Sequence, residues 1–166
     1  KLVPSDHIRA IFTNSGQANA ATGNEGIEKN LMLVEALAKA MPCDRTQILV
    51  ASTGVIGEQL HIDKILPSIP ELVQRANDTA ESFATSILTT DLVPKSITTS
   101  VPLSKGEIRI TGICKGSGMI HPNMATMLGY LLTDVRISKD YAQEILKRVT
   151  DLSFNMISVD GDCSTN

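Results

Sequence analysis

The sequence has no tryptophan, three phenylalanines and two tyrosines, too few aromatic faces for a platform on which nucleic-acid bases could stack. It has no basic excess either. Fifteen Lys and Arg stand against eighteen Asp and Glu, a formal net charge of -3, which argues against a phosphate-backbone partner. No run of about 18 apolar residues is present, and Lys1-Leu2-Val3-Pro4-Ser5-Asp6 lacks the basic-then-apolar pattern of a signal peptide. A soluble, cytoplasmic protein with no membrane or nucleic-acid partner is expected. The three cysteines, Cys43, Cys114 and Cys163, are odd in number, widely spaced and without a C-x-x-C pair, so they read as reduced thiols.

Several catalytic signatures are also missing. His7, His61 and His121 lie far apart, and no Gly-x-Ser-x-Gly turn places a serine nucleophile. Lys115-Gly116-Ser117-Gly118 lacks the four-residue spacer and the Lys-Ser/Thr order of a phosphate-binding loop. Asp160 and Asp162 flank a glycine in what reads first as a turn and only second as a metal site. No metal and no bound cofactor is expected.

What is present is an ordinary globular composition, 42% hydrophobic and 20% charged, over a length that suits one compact unit. The chain opens without methionine and stops in a polar segment just after an apparent strand, so it reads as a piece of something longer. Periodicity predicts strands over 8–13, 47–52, 96–101, 107–113, 127–132 and 155–159. It predicts a helix over 25–40 capped by Asn24, with Ile27, Leu31, Val34 and Leu37 inward. A short helical piece over 62–70 should break at Pro67 and Pro70, followed by a helix over 71–87. A last helix should start at Ser138, with Ile145, Leu146 and Val149 inward. Residues 14–23 read as a long turn, and 102–106 as a hairpin connection. Strands partly in hairpins with segregated helices argue an α+β layered domain.

Two places could carry chemistry. The strand ending Ser52-Thr53-Gly54 offers hydroxyls and amides suited to a developing oxyanion, although spacing alone favours a plain strand-to-turn exit. Thr126 stands where a glycine-rich loop enters a strand, after the small Ala125. A threonine hydroxyl is weak at neutral pH, but an N-terminal threonine carries its own base, an α-amine with a reference pKa of about 7.7 to 8.0. That role needs a chain break before Thr126; packing is the plain alternative.

Five ordered motifs carry a resemblance. Asn14 to Gly23, Ala51 to Gly57, Thr89-Thr90-Asp91, Lys115 to Met119 and Pro122 to Leu128 together resemble the ornithine acetyltransferases, or glutamate N-acetyltransferases. The resemblance implies an arginine-biosynthesis enzyme that moves an acetyl group from N-acetyl-ornithine to glutamate, with acetyl-CoA as a further donor in some members. It implies self-cleavage between Ala125 and Thr126, Thr126 as nucleophile, Thr53 and Gly54 as the oxyanion pair, and Thr89, Lys115 and Thr126 as substrate-binding residues. It implies a layered α/β sandwich with mixed or antiparallel central sheets flanked by helices, of the N-terminal-nucleophile kind and incomplete here. Residues 1–125 would end the first (α) chain and residues 126–166 begin the second (β) chain, the two staying together and pairing again into a heterotetramer. Two other readings compete: an N-terminal-nucleophile amidohydrolase or aminopeptidase, which passes the acyl group to water, and a non-catalytic amino-acid-binding domain.

Overall fold

The computed structural model describes residues 3–76, 79–123 and 127–164. Their contacts gather into two compact units, Lys1–Thr79 and Ala80–Thr165.

In the first unit, strands β1 (Ala10–Gln17) and β2 (Ile48–Val55) pair in parallel, Ala10 opposite Ile48 and Gln17 opposite Val55. A parallel pair needs a long crossover, and helix α1 (Gly23–Ala40) supplies it. Phe12, Leu33, Leu37, Ile48, Leu60, Ile62 and Ile69 form the core. Thr22, not Asn24, occupies the N-cap position of α1. The buried face of α1 is Gly26, Leu33 and Leu37, whereas Ile27 and Leu31 are 61% and 53% exposed. The helix is apolar over a wide arc, and periodicity alone does not choose which edge of that arc meets the strands.

Helix α2 (Ile62–Gln74) runs straight through Pro67 and Pro70, where a break was expected. Each interior proline costs about 3 kcal/mol. Burial of Ile62 and Ile69, with Ile65, Leu66 and Val73 packed against the same cluster, offsets this at about 1.5 to 3 kcal/mol for each fully buried side chain. The helix expected over 71–87 is instead the end of α2 and a separate short helix α3 (Ala80–Ser86). Leu72, near the end of α2, is 49% exposed.

Residues 14–17, expected in a turn, continue β1. Only the segment after Gln17 turns, and its polar side chains hold it. Asn19 Nδ2 donates to the Gly26 carbonyl at 2.9 Å, Thr22 Oγ1 donates to Asn19 Oδ1 at 2.7 Å, and Gln59 Nε2 donates to the Thr22 carbonyl at 2.8 Å. A methyl group at Gly26 would sit 2.0 Å from Thr22 Oγ1, so this turn admits no side chain there. The small and polar residues of that motif therefore fix the entrance of α1.

The second unit is an antiparallel sheet in the order β3 (Lys95–Leu103), β4 (Gly106–Lys115), β5 (Leu128–Thr133). The β3–β4 hairpin turns through Ser104 and Lys105 between paired Leu103 and Gly106, Gly106 taking φ +140°. Helix α3 packs on β3 and β4, where Ala84, Ile87 and Ile113 are buried and Phe83 meets Tyr130 edge-on at 5.0 Å. Helix α4 (Lys139–Asp151) buries no residue. Leu146 and Val149, expected inward, are 50% and 39% exposed, because no described element covers that face. The strand expected over 155–159 is a 3-10 turn, Phe154–Met156, followed by irregular chain. Among the described residues no neighbouring strand offers it a ladder, and the Val159 N–H donates to the Ile120 carbonyl at 2.9 Å.

The class is α+β, with α1 packed on a parallel pair in one unit and α3 on an antiparallel sheet in the other. Among the described residues no helix is long and apolar enough to cross a membrane.

Candidate functional site

Thr53 and Gly54 lie inside β2 rather than at its tip, paired with Ser15 and Gly16 of β1. Gly54 takes φ +129°, and a Cβ there would sit 2.2 Å from the Gly16 carbonyl carbon. Only glycine lets the two backbones approach so closely at this angle. The neighbouring hydroxyls are the unusual feature. Ser52 Oγ and Thr53 Oγ1 are both shielded from solvent and have no hydrogen-bond partner among the described residues. Buried polar groups are nearly always paired, and leaving a hydroxyl unpaired costs about 1 to 3 kcal/mol. Successive side chains of a strand point to opposite faces, so each hydroxyl stands alone, and that of Thr53 is free to donate to an electronegative group.

The second cluster is built around Lys115, the last residue of β4. Its side chain is buried, 4% exposed, and its Nζ donates to Thr89 Oγ1 at 2.8 Å. Thr89 reaches it from the chain between α3 and β3. Asp91, two residues further on, accepts from Lys95 Nζ at 2.5 Å and from Gly116 N–H at 2.7 Å through Oδ1. Its side chain is fully shielded, and its other oxygen, Oδ2, has no partner among the described residues. Thr90 and Ser117 share a hydroxyl–hydroxyl bond of 2.8 Å, closing the rim.

These contacts tune the charges. Burial pushes the Lys115 ammonium toward its neutral form; Asp91 opposes this and Lys95 adds to it, leaving the lysine below its ordinary 10.5. Burial pushes the Asp91 carboxyl up, but hydrogen bonds from Lys95 and Gly116 and the charges of Lys95 and Lys115 outweigh it and hold Asp91 below the usual carboxylate range. A partly desolvated cation beside an ionised carboxylate is a common signature of a functional site.

The structure thus brings Thr89 and Lys115 into direct contact within the second unit, while Thr53 and Gly54 belong to the first. Ala125 and Thr126 lie outside the described residues. Asp91 is the residue that sequence reasoning quoted within a motif without giving it a role; nothing in the spacing Thr89-Thr90-Asp91 tells that its carboxylate meets the Gly116 amide 25 residues away. Among the described residues no group of His, Cys, Asp and Glu is placed to hold a metal ion.

Known proteins resemble this chain throughout. An arginine biosynthesis bifunctional protein ArgJ from Synechococcus sp. is 49% identical over 159 residues, covering 95% of this chain and 38% of that protein. ArgJ 1 of Nostoc sp. is 47% identical over 167 residues, 100% of this chain and 40% of that protein. The chain therefore spans about two-fifths of the length of the curated relatives it matches. Among solved structures, an ArgJ crystal structure from Bacillus halodurans superposes with a TM-score of 0.60 at 34% identity, over 71% of this chain and 61% of that one. The ornithine acetyltransferase of Mycobacterium tuberculosis, solved with ornithine, gives 0.60 at 29% identity over 71% and 62%. A model of the ArgJ family matches residues 1–166, and the chain belongs to that family.

Proposed function

We propose that this chain is part of an acetyltransferase that moves an acetyl group from N-acetyl-ornithine to glutamate through an acetyl ester on Thr126. The observation that carries the reading is the buried Lys115–Thr89–Asp91 cluster at the end of β4. Lys115 is the register partner of Leu128, which stands two residues after Thr126 in the sequence, and two residues of chain reach no further than about 7 Å. The arginine-biosynthesis relatives support the pathway, and the ornithine-bound relative supports the class of substrate.

The chemistry follows in two stages. In the precursor, Thr126 Oγ adds to the Ala125 carbonyl and the Ala125–Thr126 C–N bond breaks as the ester forms, the hydroxyl proton passing to the released amine. Water then cleaves the ester, leaving the Ala125 carboxylate and a free Thr126 with both hydroxyl and α-amine. Residues 1–125 and 126–166 thereby belong to two chains, which stay together and pair again into a heterotetramer. In turnover, the α-amine takes the proton from Thr126 Oγ as it attacks the acetyl carbonyl. Thr53 and Gly54 hold the oxyanion, ornithine leaves, and the amine of glutamate attacks the acetyl ester. No bound cofactor enters; acetyl-CoA is a second donor, and the setting is the cytoplasm.

Full-length protein given N-acetyl-ornithine and glutamate should yield N-acetylglutamate with ping-pong kinetics. Release of free acetate without N-acetylglutamate would instead make the protein a hydrolase.

Lys115 holds a substrate carboxylate in this reading, which gives a pH prediction. The ammonium is the binding form and is present below the folded-state pKa of the lysine. Affinity for N-acetylglutamate, whose carboxylates stay ionised, should therefore fall as pH rises through a value below 10.5. Lys115→Ala should bind about 10- to 100-fold more weakly, the loss of one hydrogen bond to a charged group, and should lose that pH dependence. Calorimetric titration across pH checks both, and unchanged affinity in the variant would remove Lys115 from the site.

A further inference from the structure

Asp91 meets Lys115 in two ways. The first is through the backbone: Asp91 Oδ1 accepts from the N–H of Gly116, the residue after Lys115, at 2.7 Å. Gly116 takes φ +153°, an angle that glycine adopts without steric cost, so the bond fixes the chain where it leaves β4. The second is through charge. Lys115 is buried, and its Nζ donates to a neutral hydroxyl, Thr89 Oγ1, at 2.8 Å. A buried ammonium without a nearby anion gives up its proton more readily, and the shielded carboxylate of Asp91 is the anion at hand.

The charges around Lys115 are few and opposed. Burial lowers its proton affinity, Asp91 raises it from the chain between α3 and β3, and Lys95 lowers it further from the start of β3. On its other side, β5 brings Leu128 opposite Lys115 in register. Thr90 and Ser117 are neutral hydroxyls bonded to each other. Helix α3 carries Glu81, exposed in its first turn, at the helix end away from Thr89. Asp160 lies further along the loop, where it accepts from the Met119 and Ile120 amides at 2.7 and 3.1 Å. Among the described residues Asp91 is thus the one carboxylate that acts on Lys115.

We propose that Asp91 is a positioning residue for Lys115: it seats the Lys115–Gly116 peptide and supplies the counter-charge under which the ammonium receives a substrate carboxylate. The inference rests on the reading of Lys115 as the carboxylate-binding group given above. A residue that merely fastened the loop would need the bond to Gly116 but no charge. Asp91 can be separated from that role because an asparagine keeps an acceptor oxygen for the Gly116 amide while the charge is lost.

The test is calorimetric titration of the full-length enzyme with N-acetylglutamate across pH, for wild type, Asp91→Asn, Lys95→Met and Lys115→Ala. What is read is the pH at which affinity falls, since removing any charge near an anionic ligand changes the plateau. Asp91→Asn should move that midpoint down, because Lys115 loses the charge that favours its ammonium. Lys95→Met removes the opposing charge at a side chain that is 39% exposed, and should move the midpoint up. A folding defect gives no reason for opposite shifts. A midpoint in Asp91→Asn at or above that of wild type would overturn the proposal, and so would a downward shift shared by both variants. If Asp91→Asn does not fold, Asp91→Ser, which has less bulk to bury, takes its place with the same expectation. Wild-type affinity in Lys115→Ala at every pH would instead refute the carboxylate-binding reading itself, a separate result from the midpoints.

Discussion

Thr126→Ala in the full-length protein is expected to leave one uncut chain by intact mass and to abolish acetyl transfer. Wild type should give two fragments, the second beginning at Thr126. The substitution removes the hydroxyl that opens both stages of the scheme, attacking first the carbonyl of Ala125 and later that of the acetyl group. Both processing and turnover should fall to background rather than by a partial factor, because without the cut there is also no α-amine to act as base. Thr126→Ser keeps a hydroxyl and so separates loss of the nucleophile from a packing defect. A wild-type protein that stays in one piece, or an Ala variant that is still cut, would remove the foundation of the mechanism.

The second large effect is expected at Thr53. Thr53→Val keeps the branched shape and replaces only the hydroxyl, whose oxygen is buried without a partner among the described residues. If that hydroxyl stabilises the oxyanion, kcat should drop by about 100- to 1000-fold, the usual loss when one such donor is removed. The folded protein should not suffer. Removing an unpaired buried hydroxyl relieves a penalty of about 1 to 3 kcal/mol, so the melting temperature should hold or rise. Activity and stability moving in opposite directions is the informative pattern. A variant that loses both together would mean that Thr53 serves β2 and not the reaction. Gly54 cannot be tested in this way, since any side chain there collides with the Gly16 backbone and would disturb the strand pair before it disturbed chemistry.

The secondary structure was largely legible because most elements carry their own period. β3 and β4 alternate, α1 and α4 repeat at helical spacing, and the hairpin at Ser104-Lys105 is bounded by glycine. The errors fall where tertiary contact decides. Pro67 and Pro70 argue locally for a break, yet the core around Ile69 holds α2 together. Residues 155–159 carry β-forming Ile157 and Val159 but find no ladder partner among the described residues. Leu146 and Val149 mark an apolar face that no described element meets. The site was legible in a different way. Lys115 and Thr89 could be matched as motif residues, and the structure joins them at 2.8 Å. Asp91 and Asp160 could not be assigned from the sequence. Each accepts bonds from backbone amides that are distant in the chain, and an amide leaves no mark in residue identity.

The grouping of Lys95, Asp91 and Lys115 bears on how one pocket can serve two half-reactions. Among the described residues two ammonium groups face a single carboxylate, so an incoming substrate carboxylate would balance the second of them. Under the proposed mechanism N-acetyl-ornithine and glutamate differ in side chain and in acetylation, but both bring an α-carboxylate. The departing product carries away the anion that the incoming substrate restores. The charge count at Lys115 is then the same in both halves of the cycle, and the acetyl-threonine intermediate can wait for either partner without the cluster having to be rebuilt.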